Sequence, residues 1–170
     1  KFQKKIDEIE EFGNYEIISD NFAIYVKNNI YVLNNYDKRY LISDKNTFKN
    51  FIITPNNFQN IGSARIKNIS SLFSVKNSDE KTTILNIKNN LKYSQLTKVV
   101  LNEKECYKLV FSTITNSKKL TIYFDKKTYI PLAYNFEDEK INIIKINIGT
   151  VKDSDISVVK LYEELTELSS

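Results

Sequence analysis

Five consecutive strand-like runs in the C-terminal half constrain the fold of this chain most. They are Tyr93–Leu101, Glu105–Thr113, Lys119–Phe124, Tyr129–Phe136 and Lys140–Ile148. Short polar segments separate them, and connections of this length join antiparallel strands, because parallel strands need a much longer crossover. The sequence therefore predicts an antiparallel meander over residues 93–148.

The last of these runs breaks the alternation that the others keep. Ile141 and Ile143 are out of phase with Ile144, Ile146 and Ile148. A side-chain period of two means that a one-residue shift moves every side chain to the other face. We expect a β-bulge near Ile143 and Ile144, or burial of both faces there.

The N-terminal third predicts a helix followed by short strands. Residues 1–12 carry Phe2, Ile6 and Ile9 on one helical face, and Gly13 follows as the stop. The expected strands are Tyr15–Ser19, Phe22–Lys27, Ile30–Leu33, Arg39–Ser43 and Phe51–Thr54. Asp and Asn pairs separate them and are expected to form the hairpin turns, because these residues tolerate left-handed conformations.

The middle and the end of the chain predict helices. Pro55-Asn56-Asn57 ends the strand series, and residues 58–91 place Ile66, Ile69, Leu72 and Phe73, then Ile84, Leu85, Ile87 and Leu91, at helical spacing. A closing helix is expected over residues 157–168, although Ile156–Tyr162 could begin as a strand. The prediction is one α+β domain over residues 1–170, with a curved antiparallel β-sheet, a half-barrel, wrapped around helices.

The composition excludes most catalytic chemistry. The chain has no histidine, one cysteine and three widely separated glycines. Without histidine there is no histidine-activated nucleophile, and one cysteine cannot form a cysteine zinc site. Widely separated glycines exclude a Walker loop and a dinucleotide fingerprint. The available carboxylates lie in or beside hairpin connections, where solvated turn residues are expected. We therefore predict a protein that is not an enzyme and that has no catalytic residues, no cofactor and no metal site.

Charge and hydropathy argue against nucleic acid and against a membrane span. Lysine and arginine number 25 against 21 acidic residues, but only Arg39 and Arg65 are arginines. Nucleic-acid readers favour arginine and gather it on one face, so we expect no nucleic-acid partner. No run approaches the length of apolar residues that a transmembrane helix needs. The sequence begins with Lys rather than Met, so we expect a processed or trimmed form, with any signal peptide and lipidation site outside it.

Aromatic residues supply the candidate binding surface. Most tyrosines and phenylalanines fall in phase on predicted strands and are expected in the core. The exceptions surround the loops between residues 34 and 60, and exposed loop aromatics are typical anchors for a protein or lipid partner. The candidate partner-binding residues are Tyr36, Tyr40, Phe48, Phe51 and Phe58.

The meander carries a resemblance to a known superfamily. A hairpin joins Val100–Val110 to Leu120–Leu132, in which Asp125 ends a strand, Lys126, Lys127 and Thr128 form a turn, and Tyr129-Ile130-Pro131 opens the next strand. This pattern resembles bacterial lipoprotein carriers and lipoprotein-sorting proteins of the LolA/LolB type. Pro131 fits a strand start or edge, where no ladder N–H is required. The resemblance implies a half-barrel closed by helices.

Within that superfamily, the composition rich in Lys, Asn and Ile is most similar to the clostridial germination lipoproteins. That resemblance implies a non-catalytic, extracytoplasmic, lipid-anchored protein of the spore envelope. It also implies binding and activation of a spore-cortex N-acetylmuramoyl-L-alanine amidase (CwlD-like), needed for muramic-δ-lactam formation and germination. Membrane attachment would come only through a lipid anchor outside this chain.

The alternative function is a LolA/LolB-like carrier that holds lipoprotein acyl chains or lipid in an apolar cavity. The inward-facing meander residues are mostly Ile and Leu, which favours a filled core and hence the partner-binding function. Unpaired sheet edges recruit further strands, so the predicted partners include a second copy of this chain, in a homodimer formed by strand exchange. Lysines near the edges, such as Lys118 and Lys119, would instead favour a monomer.

Overall fold

The computed structural model describes residues 2–62, 74–76, 81–83, 91–113, 119–137 and 140–168. Two α-helices and fourteen strands lie in these ranges. The helices are α1 (Phe2–Phe12) and α2 (Val158–Leu168). The strands are β1 (Tyr15–Ile18), β2 (Ala23–Lys27), β3 (Ile30–Asn34), β4 (Tyr40–Asp44), β5 (Lys49–Thr54), β6 (Asn57–Ile61), β7 (Ser74–Lys76), β8 (Lys81–Thr83), β9 (Leu91–Leu101), β10 (Lys104–Thr113), β11 (Lys119–Asp125), β12 (Pro131–Phe136), β13 (Asn142–Ile143) and β14 (Lys145–Ile148).

The strands form open sheets, and the predicted α+β class is confirmed. Within the described ranges, one sheet has seven strands in the order β14-β1-β2-β3-β4-β5-β6, and another has five in the order β13-β12-β11-β10-β9. β7 and β8 form a separate two-stranded sheet. Consecutive strands from β1 to β6 and from β9 to β13 pair antiparallel. Register shifts after Val110 and Tyr123 mark bulges, which bend the strands of the five-stranded sheet.

The contacts divide the chain into two compact units. Residues 1–8 and 69–146 form the meander unit, which contains the five-stranded sheet. Residues 9–68 and 147–170 form the N/C unit, which contains most of the seven-stranded sheet and α2. The single-domain prediction stays a prediction, and each unit is described by itself.

The core of the N/C unit lies between the sheet and α2. Val32, Tyr40, Ile42 and Ile53 project from three neighbouring strands, and Val151, Ile156, Leu161 and Leu165 from the C-terminal segment complete the cluster. α2 begins after Ser157, whose hydroxyl accepts the backbone N–H of Lys160 at 3.4 Å. Asn14 fixes the segment before the helix, because its side chain bonds both the N–H and the carbonyl of Val151. The predicted C-terminal helix is confirmed, and the strand alternative for Ile156–Tyr162 is wrong.

Asparagine-rich turns form hairpins as predicted. Asn28 and Asn29 have φ of 50° and 60° between Lys27 and Ile30, which pair directly. Two consecutive left-handed residues are the requirement of a type I′ turn. At the β4–β5 loop the Asp44 carboxylate accepts the N–H of Asn46 at 2.9 Å. Gly13, with φ of 71°, ends α1 by donating its N–H to the Ile9 carbonyl.

The predicted helical segment over residues 58–91 is wrong where the structure describes it. β6, β7 and β8 are strands. Pro55 and Asn56 do not end the strand series; they form the turn of a β5–β6 hairpin, in which Thr54 pairs with Asn57 and Asn56 has a φ of 59°. Most of the predicted helical stripe, at positions 66, 69, 72, 73, 84, 85 and 87, lies outside the described residues, and Leu91 begins β9.

The meander is confirmed in the five-stranded sheet, and its middle strand is buried on both faces. Leu120, Ile122 and Phe124 of β11 are buried on one face, and Thr121 and Tyr123 on the other. The ring of Phe2 packs against Phe124, with centroids 4.6 Å apart, and against Tyr107 and Tyr129. β12 begins at Pro131 rather than at Tyr129, which places the proline at a strand start as predicted.

The phase break near Ile143 and Ile144 is a change of sheet. β13 pairs with β12 in the five-stranded sheet, whereas β14 belongs to the seven-stranded sheet. Ile144, between them, is buried, and its N–H donates to the Leu132 carbonyl at 3.0 Å. The predicted strand over residues 140–148 is therefore two strands, because residues on either side of Ile144 pair with different neighbours.

Candidate partner-binding site

The candidate site begins with β6, the last strand of the seven-stranded sheet. Its only neighbour among the described strands is β5. Asn57, Phe58, Gln59 and Asn60 are exposed, and the strand contains neither a charged residue nor a proline. Edge strands are normally protected by such residues, because their unpaired N–H and carbonyl groups recruit further strands. β6 is thus an unprotected edge within the described part of the chain.

The register identifies the backbone groups that β6 presents outward. Thr54 and Asn57 flank a two-residue turn, so they form a hydrogen-bonded pair, and hydrogen-bonded and non-hydrogen-bonded pairs alternate from there. Asn57, Gln59 and Ile61 therefore direct their backbone groups toward β5. Phe58 and Asn60 direct theirs away from the sheet, where another strand could pair with them.

An aromatic pair accompanies this edge. The rings of Phe51 and Phe58 lie 5.1 Å apart at 32°, an arrangement that favours aromatic contact. Phe58 stands opposite Ile53, which is fully buried in the core, and Phe51 packs against the same cluster. Phe58 remains 47% exposed. The pair therefore continues the apolar core to the open edge of the sheet.

α2 fixes the turn that leads into β6. The backbone N–H of Asn56 donates to the Thr166 hydroxyl at 3.2 Å. Thr166 shares one side of the helix with Tyr162 and Val158, four and eight residues earlier, and both pack against the core cluster. We call β6 with Phe51 and Phe58 the β6 edge site.

The structure brings together two of the five predicted binding aromatics. Phe51 and Phe58 form the pair at the β6 edge site. Tyr36 is exposed in the β3–β4 loop, and Phe48, 87% exposed, lies in the β4–β5 loop at the opposite end of the sheet from Tyr36. Tyr40 is not a loop aromatic: it lies in β4, 6% exposed, because its register with Ile53 turns it into the core. The partner-binding role of these residues stays a prediction.

The sequence pattern did not predict β6 itself. Asn57–Ile61 has no apolar alternation, because an exposed edge strand does not bury a face. The available signal was the turn: proline followed by asparagine suits the two central positions of a type II turn, which continues a strand into a hairpin.

Burial controls the ionisation of the tyrosines and the cysteine. Burial, and then the Glu164 carboxylate, raises the pKa of Tyr40 to about 12. Burial, and then Asp125, raises the pKa of the Cys106 thiol, which favours the unreactive protonated form. Cys106 is buried and its sulfur lies 3.5 Å from the Lys104 carbonyl. The environment of Cys106 is that of a structural cysteine rather than a nucleophile.

Charged side chains line a groove in the meander unit, at the turns β9–β10 and β11–β12. One cavity of about 320 Å³ is lined by Glu103, Lys104, Glu105, Asp125, Lys126 and Lys127. An adjacent cavity of about 220 Å³ is lined by Lys98, Val99, Val100, Glu105, Cys106 and Lys126. We call the two together the charged groove.

Two of the three groove carboxylates are engaged in local structure. Asp125 Oδ1 accepts the backbone N–H groups of Lys127 and Thr128, at 2.7 and 3.1 Å. Glu105 pairs with Lys126 at 3.5 Å. In the described ranges no cluster of three or more cysteine, aspartate or glutamate side chains could hold a metal ion. Nor is either described helix long and apolar enough to cross a membrane.

Comparisons with known proteins find structural similarity at low sequence identity. No family model matches the chain, and no curated protein matches it. A LolA superfamily protein from Nitrosomonas europaea is 10% identical, with a TM-score of 0.34, and the match covers 91% of this chain and 96% of that one. A DUF1329 family protein from Desulfovibrio piger is 11% identical, with a TM-score of 0.37, covering 94% and 97%. PNGF-II is 11% identical, with a TM-score of 0.38; the match covers 92% of this chain but 32% of that one.

The superfamily that the sequence resembles is thus among these neighbours. The fold class rests on the protein's own sheets and helices. Membership of the LolA/LolB-like superfamily, and the more specific resemblance to germination lipoproteins, stay predictions.

Proposed function

We propose that this chain is a non-catalytic binding protein that uses the β6 edge site to hold a protein partner. The observation that carries the proposal is the exposed, uncharged strand β6 beside the Phe51–Phe58 pair. An added strand would bond the outward backbone groups of Phe58 and Asn60. One of its side chains would cover the exposed face of Phe58, so that main-chain bonds supply affinity and the aromatic pair supplies selectivity.

The partner that we propose is a spore-cortex N-acetylmuramoyl-L-alanine amidase of the CwlD type, as in the clostridial germination lipoprotein GerS. The support is the sequence resemblance together with the absence of histidine, which removes the usual activated nucleophiles and imidazole metal ligands. A protein of this kind changes a reaction only by binding the enzyme that catalyses it. It stabilises the active conformation of the amidase by the difference between its binding free energies for the active and the inactive conformation.

The test is association of the purified chain with the amidase, followed by measurement of amidase activity on cortex peptidoglycan. Two variants address the site. Asn60→Pro removes an outward N–H without removing a bond to β5, and Phe58→Ala removes the exposed ring. We expect each to weaken association by about tenfold or more, since each removes about 1.5 kcal/mol or more of contact.

Val159→Ala is the matched control, because Val159 is an exposed apolar residue of the same unit, lies outside the site and is not a candidate binding residue. It should change association by less than about twofold. Urea unfolding of each variant establishes that the fold is kept. The proposal is overturned if the wild-type chain and the amidase do not associate, or if folded Asn60→Pro and Phe58→Ala both bind as the wild type does.

A lipid carrier is the second candidate, and one observation favours it. Leu33, Leu41 and Ile52 stand opposite one another across β3, β4 and β5, and all three are half-buried. They alternate with the core residues Val32, Ile42 and Ile53, so they form an apolar row on the face away from the core cluster. In the meander unit, by contrast, Leu109, Leu120 and Ile122 are buried, which favours a filled core there.

Titration with a fluorescent acyl probe separates the two functions. A carrier should bind the probe saturably and at one site, and Leu41→Glu should abolish that binding because a carboxylate in an apolar row is costly to bury. Saturable probe binding without amidase association would establish the carrier in place of the partner-binding function.

A further inference from the structure

The five-stranded sheet of the meander unit also ends in an open strand, β9. Its only neighbour among the described strands is β10. Leu101 and Lys104 flank the two-residue turn between these strands, so they form a hydrogen-bonded pair, and hydrogen-bonded and non-hydrogen-bonded pairs alternate from there. Every second residue of β9 therefore directs its backbone N–H and carbonyl away from the sheet. These residues are Leu96, Lys98 and Val100, and we call residues 96–101 the β9 edge site.

Two of the three outward residues carry exposed apolar side chains. All three side chains lie on one face of the sheet, because side chains two residues apart in a strand share a face. Leu96 is 46% exposed and Val100 is 70% exposed. Leu96 stands opposite Leu109, and Leu109 stands opposite Ile122; both of these neighbours are buried. An apolar residue placed against Leu96 would thus extend a row that the meander unit already buries.

The third outward residue, Lys98, gives the site a positive charge at its centre. Lys98 is exposed, stands opposite the uncharged Tyr107, and has no ion pair within the described part of the chain. Glu105 lies on β10, diagonal to Lys98, and pairs with Lys126 at 3.5 Å. Because neighbouring strands lie about 5 Å apart, a side chain on an added strand would be one strand from Lys98 and two strands from Glu105. A carboxylate there is therefore attracted more than it is repelled.

The central lysine also decides which strands the site rejects. An edge lysine discourages pairing with a neutral strand, because covering its unpaired charge is costly. A second copy of this chain does not fit: the antiparallel register that pairs all three outward residues puts Lys98 opposite Lys98, and like charges in that position are destabilising. A lipid chain does not fit either, because it cannot bond the outward N–H and carbonyl groups. A strand that carries a carboxylate satisfies the backbone and the lysine together.

We propose that the β9 edge site binds an extended segment of another protein in which an aspartate or glutamate stands between two apolar residues, each two positions away. The carboxylate pairs with Lys98, the apolar side chains lie against Leu96 and Val100, and the outward groups of β9 bond the backbone of the segment. The site lies in the meander unit and does not depend on the function proposed for the β6 edge site. With both sites, the chain holds one protein segment on each unit.

The first measurement is amide hydrogen exchange of the purified chain, followed by NMR. In the free chain the amides of Leu96, Lys98 and Val100 should exchange at least about tenfold faster than those of Thr97 and Val99, which are bonded to β10. The probe is the blocked peptide acetyl-Thr-Val-Thr-Glu-Thr-Val-Thr-amide, whose pattern is the same in both directions. It should bind saturably and slow the exchange of the three outward amides.

A charge exchange tests the role of Lys98. The peptide with Lys in place of Glu should bind the wild type about fivefold more weakly, and Lys98→Glu should reverse that preference. Lys104→Glu makes the same charge change on the opposite face of the β9–β10 hairpin and is the matched control, so it should keep the wild-type preference. Val100→Pro removes an outward N–H without removing a bond to β10, and it should weaken binding of the Glu peptide about tenfold or more.

Urea unfolding establishes that each variant keeps the fold. Three results would contradict the proposal: outward amides that are already protected in the free chain, no saturation by the Glu peptide up to about 10 mM, or an unchanged preference in folded Lys98→Glu. Asn60→Pro, at the β6 edge site, should bind the Glu peptide as the wild type does. Loss of amidase association in that variant, together with normal peptide binding, separates the two sites.

Discussion

At the scale of single residues, Asn46 connects the tips of two hairpins. Its side-chain amide donates to the Asn28 carbonyl at 2.7 Å, and its side-chain oxygen accepts from Asn29 at 3.4 Å. We expect Asn46→Ala to lower the free energy of unfolding by about 1 kcal/mol, since a typical hydrogen bond contributes that much. Urea unfolding measures it. Asn21→Ala, an exposed turn asparagine, is the control; an equal loss in both variants would contradict the prediction.

Residue type predicted some left-handed positions and not others. Asn28, Asn29, Asn56 and Asn102 have positive φ, as asparagine favours. Tyr36, Phe48, Glu103 and Tyr129 also have positive φ, although nothing in their side chains favours it. At these positions the geometry of closing the loop between paired strands decides the conformation. That geometry depends on the register of both strands, which a single residue does not encode.

At the scale of elements, α2 depends on two leucines. Leu161 and Leu165 are buried, one turn apart, against Val32, Ile42 and Ile53. We expect Leu165→Ala to lower the free energy of unfolding by about 2–4 kcal/mol, because it removes buried methyl groups and leaves a cavity. Val159→Ala, on the exposed side of the same helix, should change it by less than about 0.5 kcal/mol. Similar effects in the two variants would show that α2 is not packed on the sheet.

The contrast between elements that bury a face and elements that stay exposed explains which elements the sequence predicted. α1, α2 and the strands of the meander bury a face, so their apolar residues recur at the period of the element. β6 buries little and has no such period, and it was predicted as part of a helical segment. The sequence therefore predicted only part of the β6 edge site. Residue type identified Phe51 and Phe58 as candidates, whereas the open strand beside them is seen only in the structure.

At the scale of the whole molecule, the sequence predicted the fold class but not which strands belong to which sheet. The phase break at Ile144 marked a real discontinuity, but alternation alone does not distinguish a bulge from a change of sheet. The difference lies in which strand each half pairs with, and that is a long-range contact. The placement of Tyr40 has the same origin, because its burial follows from the cluster contributed by residues 151–165.

Tyrosines that are wholly or partly buried give the whole molecule a defined response to alkaline pH. Burial is the first cause of the raised pKa of Tyr25, Tyr31, Tyr40 and Tyr134, and for Tyr40 the pKa rises from 10.0 to about 12. Below pH 10 both the folded and the unfolded chain keep the Tyr40 proton, so its contribution to stability is fully present. Between pH 10 and 12 the unfolded chain releases the proton while the folded chain retains it, so stability falls as pH rises.

The test compares the pH dependence of unfolding in Tyr40→Phe and in a control variant. The loss of stability attributable to Tyr40 across its window is about 3 kcal/mol, since the pKa rises by about two units and each unit corresponds to about 1.4 kcal/mol. Tyr40→Phe cannot ionise, so its unfolding free energy should fall less steeply above pH 10 than that of the wild type. Val159→Ala, at an exposed position without an ionisable group, should keep the wild-type slope. Urea unfolding between about pH 8 and pH 11.5 gives both slopes, and parallel curves for Tyr40→Phe and the wild type would show that burial of this hydroxyl does not set the alkaline response.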